Sequence, residues 1–353
     1  MRIFKLIALL LIVVAALTGF VVYRAYEMAR TPYKGYLGEE VFFTVDRGAT
    51  GTGIGRALET AGIIEEERLF VAALHLRGKT GSLQAGEYRF SRPLSTLDVV
   101  ERLVGGDIYT FAVTVPEGLT ISETAEHLAA KGLGEAAALE EVFHDATLVA
   151  DIDRNATDLE GYLFPTTYQF TRNPTPRDVA RMMVAQFDEI FDDNKRSKSE
   201  ELGLTPRDVV TLASVIEKET GNAEERPLIG SVVWNRLERG MPLAMDSTII
   251  FALKRDGRYD GNLRRVDLEM DDPYNTYRVA GPPPGPIASP GEASIDAVLE
   301  PADTRYLYFV SKNDGSHHFS TTYREHVNAV RKYQVEYFRN RRNRRNRRHG
   351  VGS

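Results

Sequence analysis

At 353 residues, 42% of them hydrophobic, the chain exceeds one average domain and can build a sizeable core beside a membrane segment. It has no cysteine, which excludes structural disulfides, thiol catalysis, Cys-ligated zinc and a bacterial lipoprotein anchor together. The net charge is −6, yet without the seven arginines between Arg339 and Arg348 the rest stands at −13, an acidic body that argues against nucleic-acid binding.

The chain opens with about 17 uncharged, mainly apolar positions from Leu6 to Val22, at the short end of what crosses a bilayer. Arg2 and Lys5 precede them, and Tyr23, suited to the interface, follows with Arg24. We read 1–24 as a cytoplasmic stub and an uncleaved signal anchor. The competing reading is a cleaved signal peptide, with Val14 and Ala16 flanking the cleavage site. Either way the bulk of the chain is exported. Arg24, Arg30 and Lys34 match the charges before the span, so charge does not orient it.

Residues 25–38 lack periodicity and read as a linker. In 39–110, Val41–Val45 is rich in strand formers and leads through Asp46-Arg47-Gly48 into a helical pattern from Ile54 to Thr60, closed by Gly62. Leu83–Phe90 reads as another strand and Ser95–Val104 as a Ser-capped helix ending at Gly105-Gly106. Gly51-Thr52-Gly53-Ile54-Gly55 imitates a dinucleotide loop, but the third glycine of that fingerprint would fall at Arg56.

The design recurs about seventy positions later. Thr44, Val45, Gly48, Thr50, Leu58 and Gly62 correspond to Thr114, Val115, Gly118, Thr120, Leu128 and Gly132, which predicts duplicated small α+β units. In this second unit, 111–200, residues 136–155 are acidic and partly helical. Leu159–Phe170 is a core strand or a wall of a sugar groove, with Tyr162, Phe164 and Tyr168 available to stack on pyranose faces. Arg177–Phe191 is an amphipathic helix, and charged Asp192–Glu201 is the expected boundary.

The portion 201–338 starts with a strong helix signal: Thr205 as N-cap, Pro206 at the first position, and Asp208 where a capping-box acid belongs. The helix carries Glu217-Lys218-Glu219 in its last turn, where the macrodipole disfavours carboxylate charge and so favours a general acid. At about 100° per residue the two acids diverge by roughly 160°, so only one can face a given cleft, and geometry does not choose between them. A second helix spans Pro227–Arg239. Rigid Pro/Gly loops then carry Asp246-Ser247-Thr248, Tyr274-Asn275-Thr276-Tyr277 and Gly281–Ile287, dense in groups that would line a polar groove. Tyr306–Val310 reads as a buried strand, Asn313-Asp314-Gly315 as a turn, His318–Ser320 as a returning strand and Tyr323–Phe338 as a closing helix. The tail 339–353 reads as a solvated end, with attachment to anionic lipid or an acidic partner as the sharper alternative.

The run Ala213–Thr220, then Asn235-Arg236-Leu237, Asp246-Ser247-Thr248, Tyr274–Tyr277, Gly281-Pro282-Pro283 and Pro286-Ile287 resembles the endolytic murein transglycosylases, the YceG-like family. Leu159–Tyr168 and Tyr306–Val310 resemble it too, and the matches keep the family's order along the chain. The resemblance implies cleavage of the β-1,4 bond between N-acetylmuramic acid and N-acetylglucosamine in peptidoglycan, leaving a 1,6-anhydro end. It carries the catalytic role onto Glu217. Asp246, Tyr274 and Asn275 would orient sugar amides or stabilise developing positive charge, with loop scaffolding as the alternative, and Ser247, Thr248, Thr276 and Tyr277 stand beside them as candidate substrate-binding residues. It also implies a body outside the cytoplasmic membrane, glycan strands as substrate, peptidoglycan synthases as partners, and no cofactor.

The strand, two helices and strand of 39–110 resemble a LysM-like module, a type that grips N-acetylglucosamine polymers; the plainer alternative is a spacer or docking surface. The expected fold class is therefore α+β: a single transmembrane helix, small LysM-like α+β modules and an α+β catalytic domain. A lysozyme-type muramidase with Asp246 as second carboxylate, and a non-catalytic peptidoglycan-binding scaffold, are the alternatives. His317 and His318 are adjacent, which does not suit a shared metal, and neither a His-Glu-x-x-His motif nor a Gly-x-Ser-x-Gly elbow occurs.

Overall fold

In the computed structural model, which describes residues 2–79 and 81–341, helix α1 runs Arg2–Arg30. Its stretch Phe4–Arg30 is long and apolar enough to cross a membrane, with a mean hydropathy of 2.8 over its 18-residue apolar window. The helix extends beyond the expected span and takes in the first residues of the expected linker, with Ala29 already buried. The tail from 342 on lies outside the described residues.

Two units follow from the packing: residues up to Phe111 with Gln169–Arg172, and Ala112–Tyr168 with Asn173 onward. The first holds β1 (Val41–Val45), α2 (Gly51–Thr60), α3 (Glu67–Leu76), β2 (Gly86–Phe90) and α4 (Thr96–Gly105). β1 and β2 pair antiparallel, Val41 opposite Phe90 and Val45 opposite Gly86. Leu58, Phe70, Leu74, Tyr88, Phe90, Val100 and Leu103 fill the core. Thr50 caps α2 by accepting from the Gly53 N–H, so the helix begins three residues before the expected Ile54. Ser95 and Asp98 form a capping box on α4, and Gly106 ends it at φ +70°.

The expected repeat is visible residue by residue. β3 (Phe111–Thr114), α5 (Ile121–Ala130), α6 (Ala136–Phe143) and β4 (Thr167–Phe170) repeat the order strand, helix, helix, strand, and β3 pairs with β4. Thr120 caps α5 as Thr50 caps α2, and Leu58 and Leu128 are both wholly buried. Gly48 and Gly118 share a left-handed φ, +80° and +76°, as do Gly62 and Gly132. The strand expected over Leu159–Phe170 is only β4. The preceding residues form an irregular buried segment, and Tyr162, Phe164 and Tyr168 are 1%, 6% and 4% exposed. Rings buried to that degree are core, not an open platform for sugars.

The rest of the second unit is mainly helical: α7 (Pro176–Ile190), α8 (Asp193–Glu201), α9 (Pro206–Glu219), α10 (Arg226–Glu238), α11 (Asp246–Arg255), α12 (Glu292–Leu299) and α13 (Tyr323–Val330), which runs on as a π-helical stretch over Arg331–Glu336. The segment expected to be a boundary is helix α8. Asp192 caps it, and its lysines pair with α12, Lys195 with Glu292 at 2.8 Å and Lys198 with Glu300. A charged helix with no apolar face is held here by ion pairs to its neighbour. β5 (Tyr308–Ser311) and β6 (His317–Ser320) form an antiparallel hairpin whose first strand is half-buried rather than fully buried.

Helix α9 is the axis of this unit. Thr205 and Asp208 complete the expected capping box, and every residue from Val209 to Ile216 is buried, against α8, α10, α11 and α12. Apolar contact all round anchors the helix, so its last turn reaches the surface at a defined angle.

Candidate active site

The last turn of α9 splits its two acids. Glu217 is 6% exposed and pairs with Arg226, itself 9% exposed, at 2.8 Å. Its second oxygen accepts the Ser294 hydroxyl at 2.7 Å and the Gly291 N–H at 3.1 Å. Arg226 also reaches Glu117 at 2.8 Å, so Glu217 is one corner of a buried charge network tying α9 to α10 and α12. Both of its oxygens are engaged, and Glu217 lines neither of the cavities described below.

Glu219 faces the other way. Its Oε1 accepts the Ser247 hydroxyl at 2.6 Å, and the side chain borders a cleft of about 170 Å³ with Lys218, Asp246, Ser247 and Phe251. Burial raises its carboxyl above the ordinary range, and the nearby Asp246 charge adds to this. The Ser247 hydroxyl and N–H and the charge at His317 work against it. His317 is itself held by Glu225, whose carboxylate takes its ring nitrogen at 2.7 Å and its backbone N–H at 2.8 Å.

The loops that carry the other expected residues are stitched together locally. Ala244 N–H donates to Thr276 O at 2.8 Å, the Thr248 and Thr276 hydroxyls lie 3.0 Å apart, and the Met245 N–H donates to Thr276 Oγ1. Asn275 donates to the carbonyls of Leu268 and Met270. Thr248, Asn275 and Thr276 are therefore wholly buried scaffold with their polar groups consumed within the chain. They hold Asp246 at the first position of α11 and Tyr277 beside it, the Tyr277 hydroxyl donating to Asp246 Oδ1 at 2.6 Å. Desolvation and that contact push the Tyr277 phenol up. In the family-like run on α10, Asn235 grips the carbonyls of Thr304 and Tyr306, and Arg236 those of Leu307 and Leu243.

Tyr274 lies in a second, larger cavity of about 600 Å³, its ring 5.0 Å from that of Phe251. Thr120, Phe251 and Lys254 border both hollows, so the two adjoin. Of the eight residues the sequence proposed, the structure gathers Asp246 and Ser247 at the smaller cleft and Tyr274 at the larger. It seats Tyr277 behind Asp246, puts three in the scaffold and turns Glu217 away. Phe251 and Lys254 were missed, although they stand four and seven residues after Ser247, on one helical face. Among the described residues no group of three His, Asp or Glu could hold a metal ion.

A carboxyl whose proton affinity is raised by burial, with one oxygen oriented by a hydroxyl, can give and take a proton at a bond lying in the cleft. Two adjoining hollows give room for successive units of a polymer. The sequence model of the YceG-like family matches residues 43–332. An endolytic murein transglycosylase of Bacillus subtilis (strain 168) is 31% identical over 309 residues, covering 83% of this chain and 84% of that protein. One from Streptococcus pneumoniae (strain ATCC BAA-255 / R6) is 29% identical over 324 residues, covering 82% of this chain and 57% of the longer relative. A solved structure of a yceG-like protein from Listeria monocytogenes matches with a TM-score of 0.56 at 29% identity, covering 82% of this chain and 98% of that one.

Proposed function

The chain belongs to the YceG-like family, and from that premise we propose that it is an endolytic peptidoglycan lytic transglycosylase in which Glu219 is the general acid and base. It cuts the β-1,4 bond between N-acetylmuramic acid and N-acetylglucosamine. The observation that carries the reading is the Glu219 carboxyl, raised by burial and by Asp246, at a cleft that adjoins the larger hollow.

Scission breaks the bond from the anomeric carbon of N-acetylmuramic acid to the bridging oxygen. Glu219 gives its proton to that oxygen from Oε2, while the Ser247 hydroxyl holds Oε1. The 6-hydroxyl of the same sugar bonds to the anomeric carbon, and its proton passes to Glu219, which restores the acid and closes the 1,6-anhydro ring. Such chemistry needs one proton-transferring carboxyl where a hydrolase needs two. Asp246 supplies negative charge near the developing cation and holds Glu219's affinity for its proton high. Glu217, the acid to which the resemblance first pointed, serves the Arg226 network in this account.

The lysozyme-type alternative keeps one supporting observation, that Asp246 is a second carboxylate on the same cleft. Mass spectrometry of cut glycan strands separates the two, because hydrolysis adds a water that the anhydro product lacks. The full chain and its Glu219→Gln and Glu217→Gln variants are assayed together. We expect anhydro ends from the parent and from Glu217→Gln and none from Glu219→Gln. Anhydro ends from Glu219→Gln, with loss in Glu217→Gln, return the role to Glu217. Sacculus binding by the parent without scission would favour a scaffold.

The apolar helix α1 supports a single-pass anchor in the cytoplasmic membrane. We take the body to lie on the outer, periplasmic side, where the substrate is, so it reaches glycan near the membrane as the synthases release it. The β1-α2-α3-β2 order supports a LysM-like sugar-binding module.

A further inference from the structure

The larger hollow contains an acid that bond scission does not use. Glu160 lines it, is 8% exposed, and accepts the Ile121 N–H at 3.1 Å through one oxygen. The other oxygen is buried and has no hydrogen-bond partner among the described residues. Such a group is costly to keep, and the backbone keeps it by a tight fit. Gly161 has φ +87°, and a Cβ there would stand 2.6 Å from Pro286 Cβ and from Val210 Cγ1.

Burial, with Asp158 and Glu123 adding repulsion, raises the Glu160 carboxyl to about 8, while the Ile121 and Gly161 N–H groups oppose the rise. At neutral pH it is an O–H donor. The cations around it are committed elsewhere: Arg207 to Asp153 at 2.8 Å, Arg255 to Asp272 at 2.6 Å, and Lys254 to Glu123 at 2.6 Å. Glu126 on α5 and Glu140 and His144 on or beside α6 border the same hollow, as do the Tyr162 and Tyr274 phenols, both raised by burial. A carboxylate ligand would meet Glu123, Glu126, Glu140 and Asp158, whereas a neutral acceptor avoids that repulsion beside Glu160, whose one oxygen has no partner.

We propose that this hollow is a subsite for an N-acetylated sugar of the bound strand, in which Glu160 donates its O–H to the acetamido carbonyl. Phe251, common to both hollows and packed on Tyr274, supplies an apolar surface for the ring and joins this sugar to the one being cut. The proposal rests on the glycan-cleaving reading. It makes Glu160 a substrate-binding residue with no part in the proton transfers.

The test is binding without turnover. The full chain in detergent carries Glu219→Gln, and the probe is a peptide-free tetrasaccharide of alternating N-acetylglucosamine and N-acetylmuramic acid. Kd is measured calorimetrically at about pH 7 and about pH 9.5, which bracket the Glu160 proton loss. At the lower pH the parent and Glu160→Gln, which keeps a neutral donor, bind alike, and Glu160→Leu binds on the order of tenfold more weakly. Raising the pH weakens the parent on the order of tenfold and leaves Glu160→Gln unchanged. Equal affinity of Glu160→Leu and the parent, or the same pH response in Glu160→Gln, overturns the proposal. If the parent binds the tetrasaccharide at neither pH, the glycan reading falls with it; binding that ignores Glu160 sinks this proposal alone.

Discussion

The Ser247 hydroxyl donates to Glu219 Oε1 across 2.6 Å, joining the first turn of α11 to the last turn of α9. The bond favours the charged form of Glu219 and orients its carboxyl. Ser247→Ala therefore raises the Glu219 pKa further and lets the carboxyl rotate. We expect kcat to fall about tenfold, the loss of one oriented hydrogen bond near 1.4 kcal/mol. The limb on which activity is lost with rising pH should move to higher pH. A pH–rate profile on glycan strands checks both.

Asp246→Asn should move the same limb in the opposite direction. Asp246 raises the Glu219 pKa by like-charge repulsion, and the neutral amide removes that effect while its oxygen still accepts the Tyr277 hydroxyl. Glu219 then gives up its proton at lower pH, and activity is lost earlier as pH rises. An unmoved limb would show that Asp246 does not act on the proton donor.

Glu217→Gln is expected to act on stability. It leaves Arg226 buried with only Glu117 as a charged partner, and a broken buried pair costs about 3–5 kcal/mol. The drop in Tm measures this, while the rate per folded molecule stays near that of the parent.

Glu160 makes stability depend on pH. In the folded chain its pKa is about 8 against an ordinary 4.5, so between those values the folded state holds a proton that the unfolded state has lost. Stability is therefore fully present below about pH 4.5 and falls as pH rises toward 8, by up to a few kcal/mol. Glu160→Gln removes that slope. Denaturation at a series of pH values should show the two proteins differing least in acid and most near pH 8, with the variant the more stable there.

The local grammar of the chain was readable from residue types. Thr205 with Asp208, Ser95 with its following helix and the Gly48/Gly118 pairing need only a cap, a turn and their immediate neighbours, and all took the expected form. α8 went unread because its stability comes from α12, about a hundred residues away, and not from an apolar stripe of its own. The aromatic residues Phe164 and Tyr168 are indistinguishable in sequence from groove rings, and only packing buried them.

The two acids of α9 mark the limit most sharply. Helical geometry alone requires that Glu217 and Glu219 point apart, and that follows from 3.6 residues per turn. Which of them meets the groove depends on a serine 28 residues after Glu219 and another 77 residues after Glu217, each brought to its acid by packing onto the buried faces of α9. Family, the apolar N-terminal helix, helix ends and duplicated units were set by short-range chemistry written along the chain. Which acid of α9 borders the cleft, and the buried acid in the neighbouring hollow, were decided by contacts between segments far apart in sequence, because desolvation is a property of the assembled interior.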